Sequence, residues 1–368
     1  MTVEQLHDSM KWEHFVESSP EGWLFHSWKF LKITEKYSGF TFLPFAFKRG
    51  SEVLALFPLF YCRKWGVKCL FSPPPVTGIP YLGPVWGPEY YSLSQSQREN
   101  RQQQFMSAIG ERIAQLNPHY LSISLSPGCH DVRPYVWQGF SVRPAFYYSR
   151  ILTEELDQIW SDCQANLRRY VRKAEQEGLQ MVEMKEAEQL FDRLSARYAE
   201  QGLRVPILSG EYLSELLRSF PGRLRLYGVR NEQGQTLAMI LLHGYKRAIL
   251  WQGGIKSPGR SGANEYLIWQ LIRLAKEEGF ERLELAGASR PNLNAFNVKF
   301  NPELEIGFVL TRQNWWGRLA ACGYHCLKQK NRIAANTIIT MISGMSIAKP
   351  KLAAGFQYGL QLLELVAA

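Results

Sequence analysis

With 368 residues, 46% of them hydrophobic and 13% aromatic, the chain is long for one core and well supplied for two, which excludes a disordered or low-complexity protein. Its formal charge of +10, from 43 Lys+Arg against 33 Asp+Glu, is unevenly spread, since the last 56 residues hold 6 basic residues and 1 acidic one. The six cysteines, Cys62, Cys69, Cys129, Cys163, Cys322 and Cys326, fall at no framework spacing and read as reduced, mostly buried thiols, which excludes a disulfide scaffold.

The opening MTVEQLHDSMKWEHF is mixed and acidic, and predicts no export by a standard signal. GFTFLPFAFK and EVLALFPLFY around the turn RGS predict a β-hairpin, residues 97–116 a helix, and YLSISLS a strand. An aromatic helical turn, DVRPYVWQGF, leads into GFSVRPAFYYSRIL, the strand expected to close a first domain over residues 1–150. His130-Asp131 reads as a loop pair rather than as part of a catalytic triad.

LDQIWSDCQANLRRYVRKAEQEG predicts one continuous helix, because Leu156, Trp160, Cys163, Leu167, Val171 and Ala174 recur at three- and four-residue steps before Gly178. Its other faces gather Arg168, Arg169, Arg172 and Lys173. Such a density can grip phosphates through arginine's planar fork, or be a solvated face paired with Glu175 and Glu177; the residues alone leave both open.

In the second domain, expected over residues 151–312, RLRLYGVR and TLAMILLHG flank the turn NEQGQ, and AILWQGG follows. A Gly-rich loop opens a crossover helix, ERLELAG is a fourth strand, and a short helix leads to ELEIGFVLT. These pieces predict a mixed sheet. The loop IKSPGRSGANEYLIWQLI places Gly259 and Gly262 before Asn264, read as the helix N-cap, so that free amides face an anion such as the phosphate of an acyl donor. Glycines serving only a tight turn are the alternative. Strand, helical turn and final strand repeat the order of the first domain, so the chain reads as two similar modules.

That order resembles the GNAT acyltransferases. LIRLAKEEGFERLELAG, FNVKF and a closing strand resemble more narrowly the C-terminal half of FemAB-like proteins, bacterial enzymes that add amino acids to peptidoglycan precursors. WLFHSWKFLKITEKY and IPYLGPVW resemble that family's first domain, and ANLRRYVRKAEQEGL resembles the arginine-rich helix that starts its second. The resemblance covers roughly residues 20–312. It implies an α/β fold with a mixed α+β sheet, in two tandem GNAT-like domains; beyond it, residues 313–368 read from their own pattern as a basic amphipathic helical tail. It also implies an aminoacyl-tRNA donor, with no cofactor or metal of the protein's own, and substrate binding by Arg168, Arg169, Arg172 and Lys173. Lys299, between Phe296 and Phe300 in an FKxxF-like turn, would then face the reaction centre and hold a phosphate or steady an oxyanion. The family's usual basic residue after the first phenylalanine is here Asn297. Without the resemblance, Lys299 is a lysine snorkelling from a helix edge.

An acetyl-CoA GNAT carries an Arg/Gln-x-x-Gly-x-Gly/Ala loop for the pyrophosphate. This chain departs from it, since Ala263 stands three residues after Arg260, and Gly259, three after Lys256, is followed two residues later by Ser261. The chain holds no GxSxG elbow, P-loop, CxxC, HExxH or dinucleotide fingerprint, in keeping with acyl transfer to an amine, which needs no covalent enzyme nucleophile. His243 and Glu284 on predicted central strands are candidate bases or satisfied core residues, and the base stays unassigned.

In the tail, the uncharged run from Ile333 to Ala348 is 16 residues, short of the ~20 that a spanning helix needs. Trp315, Trp316, Lys328, Lys330 and Arg332 suit a helix lying on an anionic membrane surface, or a hairpin packed on the second domain. The expected protein is cytoplasmic or membrane-peripheral and joins an activated acyl group to an amine on a peptidoglycan or other cell-envelope precursor. An acyl-CoA-dependent N-acyltransferase of polysaccharide biosynthesis and a non-catalytic scaffold that binds envelope precursors are the alternatives.

Overall fold

The computed structural model describes residues 1–317 apart from Trp65, His130, 255–261 and 289–290. The first unit opens with β1 (Thr2–Gln5), α1 (Ser9–Ser18) and α2 (Trp28–Ser38), then forms the predicted hairpin from β2 (Thr41–Arg49) and β3 (Glu52–Lys64). β4 (Val67–Ser72), β5 (Val85–Trp86), α3 (Pro88–Ser92), α4 (Gln95–Leu116), β6 (Tyr120–Leu125), α5 (Arg133–Trp137) and β7 (Ser141–Ile151) complete it. A capping box fixes the start of α4, with Ser94 and Gln97 satisfying each other's amides.

The second unit runs α6 (Leu156–Asp162), α7 (Ala165–Gln176), β8 (Gln180–Met184), α8 (Ala187–Glu200), α9 (Gly210–Ser219), β9 (Leu224–Arg230), β10 (Thr236–Gly244) and β11 (Ala248–Gly253). It ends with α10 (Ala263–Glu277), β12 (Arg282–Gly287), α11 (Pro291–Asn297), a 3-10 turn at Val298–Phe300, and β13 (Glu303–Gln313). The single helix expected over 156–178 is two: Cys163 and Gln164 are extended and break it. The break is held by Arg168, whose guanidinium caps the Ser161 and Cys163 carbonyls, and by the Gln164 amide, which donates to the Lys299 carbonyl at 2.9 Å.

The described strands all join one 13-stranded sheet in the order β1-β2-β3-β4-β6-β13-β7-β12-β11-β10-β9-β8, with β5 on β3. The order is a repeat with an exchange. β7, expected to close the first domain, pairs antiparallel with β12 of the second, while β13 pairs antiparallel with β6 of the first. β7 and β13 also pair with each other over nine residue pairs, from Glu303↔Ser149 to Thr311↔Ser141. The boundary drawn at residue 150 therefore marks a repeat in sequence and no seam in the sheet.

The cores follow the same logic. On one face a single apolar cluster runs across both units, from Trp12, Trp23, Phe25 and Tyr81 to Leu226, Ile249 and Trp251. On the other face each unit keeps its own: α7 and α10 cover one cluster around Leu267, Leu283 and Phe300, and α4 covers another around Phe57, Phe105 and Ile123. Between those two the central strands leave Leu304 and Ile306 exposed.

Candidate active site

Parallel strands must share hydrogen bonds to stay together, so a place where they part is a gap in the sheet. β11 and β12 pair only at Ala248↔Leu283 and Ile249↔Glu284. Beyond this apex Leu250–Gly253 keeps only its other neighbour, β10, across a bulge at Leu241/Leu242. The matching strands of the first unit, β4 and β6, pair over four positions, from Cys69↔Tyr120 to Ser72↔Ile123, and the returning chain adds the parallel bridge Leu82↔Leu125. The two repeats thus differ: the first is zipped up by its own loop, and the second diverges directly after its apex.

α10 starts at one side of this divergence. Its cap is Gly262, in the left-handed region at φ 69°, and Asn264 is its second residue, which corrects the expected Asn264 cap. Only glycine suits the cap, because a Cβ there would also lie 2.9 Å from the Tyr170 carbonyl oxygen of α7. Gly262 thereby lets the start of α10 meet the middle of α7 at Tyr170. Gly259 lies outside the described residues.

Lys299 is brought to the same place. Its ammonium lies 3.0 Å from Glu265 Oε1 in the first turn of α10, with both side chains mostly buried, at 19% and 13% exposure. It also sits 5.0 Å from the Phe296 ring centroid and 5.7 Å from that of Tyr170. The lysine is therefore neutralised by a carboxylate rather than free, and the anion-seeking end of α10 already carries one negative charge. Phe300 is fully buried in the core, where it positions the turn and does not line a binding surface; Phe296 is half-buried against it. Asn297, where the resemblance leads one to expect a basic residue, is buried and donates from Nδ2 to the Leu285 carbonyl at 3.2 Å, anchoring the turn to the diverging part of β12.

α7 supplies the positive charge. Ala165, Arg168, Arg169, Arg172, Lys173 and Gln176 line a cavity of about 460 Å³. Arg169 and Arg172 lie against Tyr170 and Trp160, and among the described residues neither has a carboxylate partner. Lys173 pairs with Glu177 at 3.5 Å, both exposed, and that pair is weak. Arg168 serves the helix break, a role that Arg169, Arg172 and Lys173 do not share.

Across the sheet from α10, Glu284 stands at the apex itself. It is 5% exposed, and Tyr81 of the first unit donates its hydroxyl to Oε2 at 2.8 Å. Burial pushes this carboxyl up from its ordinary 4.5 to about 8. A carboxyl raised on folding adds stability that is whole below 4.5 and fades as the pH climbs to 8. Glu284→Gln is therefore expected to flatten the melting temperature between pH 4.5 and 8 relative to wild type, as thermal melts across that range would show. The sequence named Glu284 without a partner and Tyr81 only as part of IPYLGPVW, since 203 residues separate the two. His243 is fully buried on β10, directly across from Ile249, and among the described residues neither ring nitrogen has a hydrogen-bond partner.

Comparison with known proteins bears on this geometry. Residues 161–291 match the family model described as an acetyltransferase (GNAT) domain. The second unit is a GNAT acyltransferase domain. Among solved structures, FemX superposes with a TM-score of 0.62 at 13% identity, over 83% of this chain and 97% of its own. A tandem GNAT protein from the clavulanic acid biosynthesis pathway gives 0.51 at 12%, over 85% and 97%. The C-terminal domain of a putative lysylphosphatidylglycerol synthetase from Agrobacterium fabrum gives 0.52 at 12%, over 85% and 94%. At these identities the likeness is one of fold, and that fold is the tandem GNAT architecture. No curated protein matches the chain in sequence. In the GNAT domain the start of α10 meets α7 at Tyr170 and holds Lys299 through Glu265. The tail expected to touch a membrane lies beyond the described residues after Gly317, and no helix among those described is long and apolar enough to span one.

Proposed function

We propose that this acyltransferase moves an aminoacyl group from charged tRNA to an amine on a cell-envelope precursor. The observation that carries the reading is the α7 cavity, where Arg169 and Arg172 have no carboxylate partner among the described residues. Guanidinium groups free of carboxylates suit the phosphates of a nucleic acid. One structural relative, the C-terminal domain of a putative lysylphosphatidylglycerol synthetase, is named for an aminoacylated lipid, which is in keeping with this reading.

In the transfer, the amine attacks the ester carbonyl, the oxyanion forms, and the C–O bond to the ribose breaks. Lys299 is assigned to the developing negative charge, with Glu265 holding it in place. Glu284 is assigned the proton leaving the amine, its carboxyl being ionised only above about 8, so the rate should rise with pH to a plateau there.

Titration of the full chain with charged tRNA and, separately, with acetyl-CoA tests the reading. Charged tRNA is expected to bind with a marked salt dependence. In Arg169→Ala/Arg172→Ala the logarithmic salt slope should fall by roughly 1.5, at about 0.7–0.9 per lost phosphate contact. Arg168 is left intact because its removal would disturb the helix break. Saturable binding of acetyl-CoA with no response to tRNA would favour the acyl-CoA alternative, and an unchanged slope in the folded double variant would return α7 to a solvated face.

A further inference from the structure

β3 and β4 pair antiparallel with Cys62 directly opposite Cys69, two positions in from the end of the hairpin at Lys64↔Val67. Opposed residues of an antiparallel pair have Cα atoms about 4.5–5.5 Å apart and side chains on the same face, inside the ~4.4–6.8 Å that a disulfide spans. Both thiols are free, and they belong to the same apolar cluster, Cys62 at 7% exposure and Cys69 at 1%. Cys163 is placed differently, its Sγ donating to the Ile159 carbonyl at 3.3 Å.

We propose that Cys62 and Cys69 form a redox site that closes to an intramolecular disulfide when the protein meets hydrogen peroxide. Cys62 sulfur attacks one peroxide oxygen and becomes a sulfenic acid, releasing hydroxide. Cys69 sulfur then attacks Cys62 sulfur, the second oxygen leaves, and the two thiol protons complete two waters. Two electrons pass from the thiols to the peroxide. The order of events follows the local chemistry: hydrogen bonding with Cys69, helped by Lys64, draws the Cys62 thiol down, while the same contact and burial push Cys69 up. Burial also pushes Cys129 up to about 12 and Cys163 to about 11, which leaves both as slow thiols.

The position gives the bond a reach beyond the hairpin. β4 continues from Cys69 to Ser72, whose hydroxyl donates to the Pro58 carbonyl at 2.7 Å and accepts from the Gly83 amide at 3.0 Å. A disulfide would pin the base of the loop that delivers Tyr81 to Glu284.

The test is peptide mapping by mass spectrometry of the full chain after peroxide, alkylation and unfolding. The expected product is a linked pair of peptides containing Cys62 and Cys69, lighter by two hydrogens and parted again by dithiothreitol. In Cys69→Ser, Cys62 should instead advance to sulfinic acid. Wild-type protein in which both thiols are alkylated after a peroxide dose that consumes free glutathione would overturn the proposal, as would Cys62 sulfinic acid without a link. These wild-type outcomes decide the matter even if Cys69→Ser fails to fold.

Discussion

Lys299→Met is expected to slow aminoacyl transfer by about 10²–10³, the usual loss for one donor to an oxyanion. A lysine at a free helix edge would leave stability nearly unchanged on this substitution, but Lys299 lies 3.0 Å from Glu265 and both are mostly buried. Removing the ammonium strands a carboxylate in the interior, so a loss of roughly 3 kcal/mol should accompany the slower rate. Lys299→Met/Glu265→Gln separates the two effects: the neutral pair should recover most of the stability and none of the rate. Chemical denaturation and single-turnover transfer at saturating donor are the measurements. Recovery of the rate in the double variant would show that the lysine acts only by restraining Glu265, and wild-type turnover in the single variant would remove it from the chemistry.

The second large effect is expected in acid. His243 is fully buried between the Phe25 ring, 4.6 Å away between centroids, and Trp23, at 6.4 Å, and burial lowers its pKa from 6.5 to about 3. His26 falls to about 4 for the same reason, although its Nδ1 accepts from the Trp23 amide and its Nε2 lies 3.2 Å from the Leu82 carbonyl. A group whose pKa drops on folding contributes stability that is present above its unfolded value and is lost as the pH falls through the folded one. The window is therefore pH 6.5 down to about 3. At about 1.4 kcal/mol per unit, His243 alone accounts for a loss of several kcal/mol. His243→Leu is expected to gain about 1–3 kcal/mol at neutral pH by removing unpaired buried nitrogens, and to move the acid midpoint downward. An acid titration of the variant that overlays wild type would mean that His243 is hydrated or paired in solution.

Much of the fold was legible because it rests on local signals. Apolar runs bounded by RGS and NEQGQ gave both hairpins, and the Gly-rich loop before Asn264 gave the start of α10 to within two residues. The break at Cys163–Gln164 was not legible, since its apolar residues keep helical spacing on both sides and the partners that hold it, Arg168 and the Lys299 carbonyl, are a tertiary matter. The exchange of β7 and β13 was hidden for a related reason: a strand's pattern records that it has neighbours, not which repeat supplies them. At the site, the residues on one helix or turn, Arg169, Arg172 and Lys299, could be picked out from their spacing and their family likeness. Glu265 looked like an ordinary first-turn acid and Tyr81 like one more aromatic, and each gains its meaning from a partner distant in sequence.

The exchanged strands bear on how such a chain can be taken apart. Cut between β7 and α6, each half would keep the edge strands and helices of one repeat, but its innermost pairing surface would be missing a neighbour that only the other half provides. Neither fragment would be a free-standing module. Mixed, the two would template each other along β6, β13, β7 and β12, so the chain behaves as a tethered heterodimer, and fragment complementation rather than domain truncation is the way to dissect its two halves.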